Sequence, residues 1–254
     1  MELYLQWMEQ MRNGIDIPLW QEIYVKFFQA FIEANRWTQY LKGVGNTLMV
    51  TALALLIGVI LGVVVAMVRT AHDQQRPGNK NAVLGFFDFI CKIYVTVIRG
   101  TPMLVQLLIM GFVIFSSSRH YTAVGVLTLG INSGAYVAEI IRGGLMSLDP
   151  GQMEAGRSLG LNYMDTMRFI VIPQAFKAIL PSLGNEFITL LKDTALIYTI
   201  GGEELLYAAK AISTRTYEQM FPLVGSAMIY LVLVLLFTWL QELLERRMRQ
   251  SDRR

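Results

Sequence analysis

The stretch Asn185–Leu196, NEFITLLKDTAL, sets two carboxylates, an ammonium and an amide inside a largely apolar run. Glu186 and Asp193 are seven residues apart, which puts both on one helical face with Thr189 between them. Asn185 and Lys192 share the neighbouring face by the same spacing. Charges inside a membrane helix are costly, and they face a cavity or a partner. Arg99, just ahead of Pro102, offers a second cation. Groups of this kind recognise polar ligands by ion pairing and hydrogen bonding. The residues for covalent or metal chemistry are scarce: no Ser/His/Asp set, no H-E-x-x-H run, one Cys and two His. No metal site and no enzymatic centre are expected.

A second polar stretch carries a different message. EAGRSLG at 154–160 lies between apolar segments, so it must face water, where another molecule can read it. DPGQMEAGRSLGLNYMDTMRFIVIP reads as short helix, turn, short helix. Asp149 suits a cap, Pro150 a first helical turn and Gly160 a left-handed C-cap. Small residues beside Glu154 let that helix seat deeply against another protein. Pro173 then re-aims the chain toward the membrane.

The elements that hold these stretches are membrane helices. Of 254 residues 54% are hydrophobic and only 16% charged, against about a quarter in a soluble domain. The deficit is concentrated: 44–68, 100–118, 121–138 and 219–241 contain no charge at all. A span needs roughly 20 mostly apolar residues, so the fold class is all-α, a polytopic bundle of five transmembrane helices. They are placed at about 44–68, from the RGTP turn at 99–102 through Phe115, at 123–141, 180–200 and 221–240. From Ala82 to Phe115 one straight helix would be about 51 Å long, too long for the ~30 Å hydrocarbon core, so a break near Pro102 is expected. Gly58 and Gly62 form a small-xxx-small pair that admits a close helix neighbour, and NSGAY at 132–136 suits the same packing.

Residues 1–42 read as an amphipathic arm lying in the outer interface, with Trp37 and Tyr40 at headgroup depth. MELYLQWMEQMRNG lacks the basic-then-apolar pattern of a cleavable signal peptide. Arg69, Arg76, Lys80, Arg142, Arg157, Arg168, Lys177, Arg246, Arg247, Arg249, Arg253 and Arg254 fall on one side. By the positive-inside rule, 69–82, 142–179 and the basic tail 246–254 are cytoplasmic and the N-terminus is outside. The net charge of +3 follows from that topology rather than from nucleic-acid binding. Glu139 and Arg142 read as a local ion pair, His72 as a solvated loop residue and Cys91 as packing.

Glu154, Ala155, Gly156, Gly160, Ile170 and Pro173 resemble the EAA loop of ATP-binding-cassette importer permeases, with Gly in place of Ala at the third position and Ile172 before the proline. VIRGTPMLVQ at 97–106, INSGAYVAEIIRGG at 131–144 and LPSLGNEFITLLKDTAL at 180–196 narrow the likeness to the polar amino-acid permease group, over roughly 40–245. The resemblance implies a type I importer permease fold at 43–245, working as a dimer with an identical or homologous permease in a bacterial inner membrane. It implies that a coupling loop at about 145–173 docks on a cytoplasmic ATPase, and that an external solute-binding protein delivers an amino acid. No G-x-x-x-x-G-K-[ST] run is present, so ATP–Mg would be held by the partner ATPase and this chain carries no cofactor. A zwitterionic amino acid needs acids for its ammonium and a cation for its carboxylate. Glu186, Asp193, Arg99 and Lys192 are the candidates; a structural network at the dimer seam is the other reading of the same charges. A secondary transporter or channel is the alternative function, disfavoured by five spans without an inverted repeat.

Overall fold

A computed structural model describes residues 2–75, 81–149 and 151–251. Arg76, Lys80, Pro150, Arg253 and Arg254, used above for topology and capping, lie outside the described residues. Helices α1 (Glu2–Arg12) and α2 (Leu19–Phe31) precede the long α3 (Trp37–Asp73). Then come α4 (Ala82–Gly100), α5 (Met103–Ile109), which runs on through a π turn at Met110–Ile114, and α6 (Tyr121–Met146). Short α7 (Gly151–Ser158) and α8 (Tyr163–Thr166) lead through a second π turn into α9 (Ile172–Asp193) and a 3-10 segment at Thr194–Ile200. Helices α10 (Leu205–Thr216) and α11 (Met220–Ser251) complete the described chain.

Among the described residues three helices are long and apolar enough to cross a membrane: α3, α6 and α11. The pair α4 and α5 passes the same length-and-composition test together, bent by 106° at its break. The break falls where the sequence places it. Gln106 seals it by donating from Nε2 to the Ile98 carbonyl at 2.7 Å and the Thr101 hydroxyl at 2.7 Å. The helix of the expected fourth span begins earlier than 180: α9 starts at Ile172, directly after a π turn, and carries Pro173 in its first turn. At 22 residues α9 is about 33 Å long, yet Lys177, Glu186, Lys192 and Asp193 leave it outside the apolar set.

Small residues decide how closely the helices approach. α3 and α6 make the most extensive contact in the chain. A Cβ at Gly58 would lie 2.7 Å from Ser133 Oγ, and one at Gly62 would lie 2.6 Å from Val137 Cγ1. The small-xxx-small pair and the NSGAY run are thus two halves of one seam. Overpacking such a seam costs about 1–3 kcal/mol or more. Gly62→Leu is expected to lower the thermal midpoint of the detergent-solubilised protein by several degrees, whereas Gly45→Leu, which meets nothing within 4 Å, leaves it unchanged.

The N-terminal arm departs from expectation. It is a helical hairpin, closed by Tyr4 on Phe28 (ring centroids 4.3 Å apart) and Trp7 on Trp20 (5.2 Å). The boundary at 42 falls inside α3, because that helix already begins at Trp37. Tyr40 is buried within the protein, stacked on Phe31 at 5.3 Å and packed against Leu205. Lys26 ties α2 to the segment ahead of α11 through Glu218 at 3.3 Å, while Glu22 of its own helix, at 2.7 Å, holds its ammonium above the ordinary lysine range. At the other end, the expected tail from 246 is a continuation of α11, helical to Ser251.

Candidate functional site

Two polar features stand out from the apolar bundle, and α9 connects them. On the face of α9 that packs on α6, Glu186 Oε1 accepts a hydrogen bond from Ser133 Oγ at 2.7 Å. Ser133 is fully buried on α6. Its neighbour Asn132 donates from Nδ2 to Gln106 Oε1 at 3.0 Å, and Gln106 holds the α4–α5 break. A polar track therefore crosses three helices in order: Gln106 on α5, Asn132 and Ser133 on α6, Glu186 on α9. In sequence NSGAY reads chiefly as a packing run, which leaves the hydrogen bonds of Asn132 and Ser133 unannounced. Two hydrogen-bonding side chains at the start of a small-residue run were the available signal.

Asp193 is half-buried at the last residue of α9, and Lys192 beside it is exposed. Neither is held by a hydrogen bond or a salt bridge among the described residues. Glu186 and Asp193 are seven residues apart, about 10.5 Å along the axis, on one side of the helix. That spacing suits a ligand with cationic groups at two depths, or one such group passed between two acids.

Arg99 does not join them. It ends α4, 3.7 Å from Glu139 Oε2 and 5.2 Å above the Tyr136 ring. Glu139 also receives Arg69 from α3 and lies 3.9 Å from Arg142 Nε. The expected local pair of Glu139 and Arg142 is thus a small part of a cluster joining three helices. His72 is likewise no solvated loop residue: it sits in the last turn of α3, mostly buried, 3.3 Å from the buried Asp88 of α4. Lys92 closes on the same carboxylate at 2.7 Å. Helix length is the physical reason, because α3 runs past its apolar stretch and brings His72 alongside α4.

The second feature is the turn from α7 to α8. The Asp149 side chain accepts from Gly151 N at 2.8 Å, and Gly160 takes the left-handed conformation (φ 81°) that ends α7. Asn162 caps α8 by accepting from Asp165 N at 2.9 Å. Glu154 and Ala155 are exposed on α7. Gly156 is not: it is buried against Thr166, where a Cβ would lie 2.5 Å from Thr166 Cγ2. Its smallness locks the turn onto its own chain instead of presenting it outward. Leu159 is 79% exposed and Met164 72%, an apolar tip on either side of Gly160 that the motif reading passed over. From Thr166 a helical path runs without interruption through Val171 into α9, so the tip and Glu186 share one strut.

Among the described residues no cluster of His, Cys, Asp and Glu has the geometry to hold a metal ion.

Residues 81–250 match the family model described as the binding-protein-dependent transport system inner membrane component. The chain is 36% identical over 217 residues to an arginine transport system permease protein of Bacillus subtilis, covering 84% of this chain and 93% of that protein. It is 34% identical over 214 residues to a glutamine transport system permease protein of Escherichia coli, covering 82% and 92%. Among solved structures it resembles a chain of an amino acid ABC transporter crystallised with histidines, with 42% identity, a TM-score of 0.74, and 83% and 94% covered. A methionine ABC transporter in an inward-facing form shares the fold at 20% identity and a TM-score of 0.70.

Proposed function

The chain belongs to the family of binding-protein-dependent transport system inner membrane components, and from that premise we propose that it is the membrane-spanning permease of an ATP-driven amino-acid importer. One observation carries this reading: α8 runs unbroken through a π turn into α9, one strut from an exposed, capped tip to the carboxylates of α9. A motor gripping the tip would move Glu186 and Asp193 directly. In this reading a cytoplasmic ATPase subunit docks on Glu154, Ala155 and the Leu159–Met164 tip, and it holds the ATP–Mg. Gly156 and Gly160 keep the tip in shape. A second permease, identical or homologous, faces α9 across the translocation path, and an extracytoplasmic solute-binding protein delivers the amino acid.

The permease itself hydrolyses nothing. Alternating access follows from the strut: closure of the ATPase pair draws the two tips together and opens the cavity outward, and hydrolysis resets it. The substrate ammonium, or a cationic side chain, meets Glu186 and Asp193, and Lys192 serves a carboxylate. Arg99, seated on Glu139, stands outside this face. The arm of α1 and α2 lies at the outer interface, with Leu19, Trp20, Ile23 and Phe27 exposed toward lipid. The N-terminus is then outside and the C-terminal end of α11 cytoplasmic.

The test is uptake of a panel of radiolabelled amino acids by vesicles holding the assembled transporter, with and without ATP inside. At least one polar amino acid is expected to accumulate only with ATP. A hydrogen bond to a charged group is worth about 1.5–3 kcal/mol, so Glu186→Gln is expected to cut that uptake roughly tenfold or more. Uptake indifferent to ATP would overturn the importer reading. Unchanged arginine or histidine uptake in Glu186→Gln would sink a cationic contact at that residue.

A further inference from the structure

A cavity of about 240 Å³ between α3, α4 and α6 is lined by Arg69, Lys92, Val95, Thr96, Arg99 and Glu139. It presents three cations and one carboxylate. The nearby acids each face a cation, although Asp88 Oδ1 is itself buried without a hydrogen-bond partner among the described residues. Glu139 is shared by Arg69, Arg99 and Arg142, while Asp73 lies 3.3 Å from Arg142. Asp88 is taken by Lys92 and His72. Even so, the Nε of Arg69 is buried with no hydrogen-bond partner among the described residues, and Arg99 is 42% exposed. A buried guanidinium donor without an acceptor in a net cationic cavity calls for an anion.

The depth of the cavity says which anion. At the opposite end of the bundle Leu53 of α3 and Ala123 of α6 line one cavity together. Arg69 and Glu139 each lie sixteen residues further along their helices, about 24 Å at 1.5 Å per residue. Given a hydrocarbon core about 30 Å thick, the cluster sits at the far boundary of the core, where lipid phosphates lie. Beside it on α4, Phe89, Ile93 and Val97 are exposed at helical spacing, an apolar strip suited to acyl chains. Basic pockets between membrane helices that open at headgroup depth bind acidic lipid headgroups.

We propose that this cavity binds the phosphodiester headgroup of an acidic phospholipid, with Arg69, Lys92 and Arg99 on the phosphate and the acyl chains along Phe89, Ile93 and Val97. The lipid fastens α4 to α3 and α6 just before the bend. The inference rests on the membrane-spanning fold and not on what is transported. A phosphodiester and free phosphate share this chemistry, and the lipid is the occupant the apolar strip selects.

The assembled transporter, reconstituted in phosphatidylcholine bilayer discs with and without phosphatidylglycerol, would be released and its retained lipids counted by native mass spectrometry. Wild type is expected to keep phosphatidylglycerol over phosphatidylcholine by about tenfold, undisturbed by inorganic phosphate. Arg99→Gln removes a cation, and Thr96→Phe fills the cavity while leaving every charge in place. Both are expected to bring the ratio close to one. Should Arg99→Gln fail to assemble, Thr96→Phe decides alone. Equal retention of the two lipids by wild type, an unchanged ratio in Thr96→Phe, or displacement by inorganic phosphate would each overturn the proposal.

Discussion

Glu154→Lys is expected to abolish co-purification of the ATPase subunit and to reduce ATP-driven uptake at least tenfold, with no change in the permease's own thermal midpoint. Glu154 is exposed on α7, and what the fold uses of it is the backbone: its carbonyl accepts from Ser158 Oγ at 3.0 Å, which any side chain preserves. A lysine in the first turn of α7 opposes the helix dipole by only about 0.3–1 kcal/mol. Setting a cation where a partner's cation expects a carboxylate costs several kcal/mol, and each 1.4 kcal/mol is a factor of ten in affinity. The partner contact therefore fails well before the local fold does. Leu159→Asp, at the 79% exposed tip, is expected to act the same way by desolvating a charge against the ATPase. The readout is affinity purification from native membranes with mass spectrometry, beside a melting curve of the permease. Retention of the ATPase by both variants at wild-type level would remove the tip from the coupling surface.

What the sequence could disclose depended on how local the signal was. The break at Pro102, the left-handed Gly160 and the cap at Asp149 follow from single residues whose backbone demands are fixed, and each lies where the sequence places it. The glycine seam of α3 against α6 was half legible. Gly58 and Gly62 announce a close neighbour, but their spacing does not say that Ser133 and Val137 are that neighbour. The candidate site was legible as residue types and not as partnerships. Glu186 and Ser133 are 53 positions apart, Arg69 and Glu139 are 70, and nothing in either segment encodes the other. Arg99 illustrates the consequence: a cation near a proline break is compatible with the α9 face, and only the three-dimensional course of α4 assigns it to Glu139. His72 failed for a related reason, since a loop composition after Val68 hides that α3 persists to Asp73.

Glu204 is the clearest case of a residue with no local signal and a large expected effect. It sits in a polar segment that reads as an outer loop, yet it is 1% exposed. Its Oε2 accepts from Leu206 N at 2.7 Å and from the Tyr230 hydroxyl at 2.5 Å, and its Oε1 accepts from Tyr207 N at 2.6 Å. One carboxylate thus caps α10 and ties it to α11. The next residue carries the tie to α3: Leu205 N donates to Thr47 Oγ1 at 3.2 Å, and Leu205 Cα would be 2.9 Å from a Cβ on Gly43. Glu204→Ala would take the acceptor from three part-buried donors, two of them the backbone N–H groups of Leu206 and Tyr207, at about 1–3 kcal/mol for each left unsatisfied, a loss on the order of 3 kcal/mol. That is a large part of the 5–15 kcal/mol that holds a typical domain together, so poor membrane insertion or a sharp fall in thermal midpoint is the expected result. Glu204→Gln separates the causes. Its carbonyl can keep at most two of the three hydrogen bonds, so it should fall between wild type and Ala. Tyr230→Phe removes one donor and leaves the α10 cap intact, so its loss should be smaller, about 1 kcal/mol. Melting curves of the four proteins in one detergent would rank them, and a Glu204→Ala variant as stable as Tyr230→Phe would mean that water replaces the cap and that α10 is not pinned by this carboxylate.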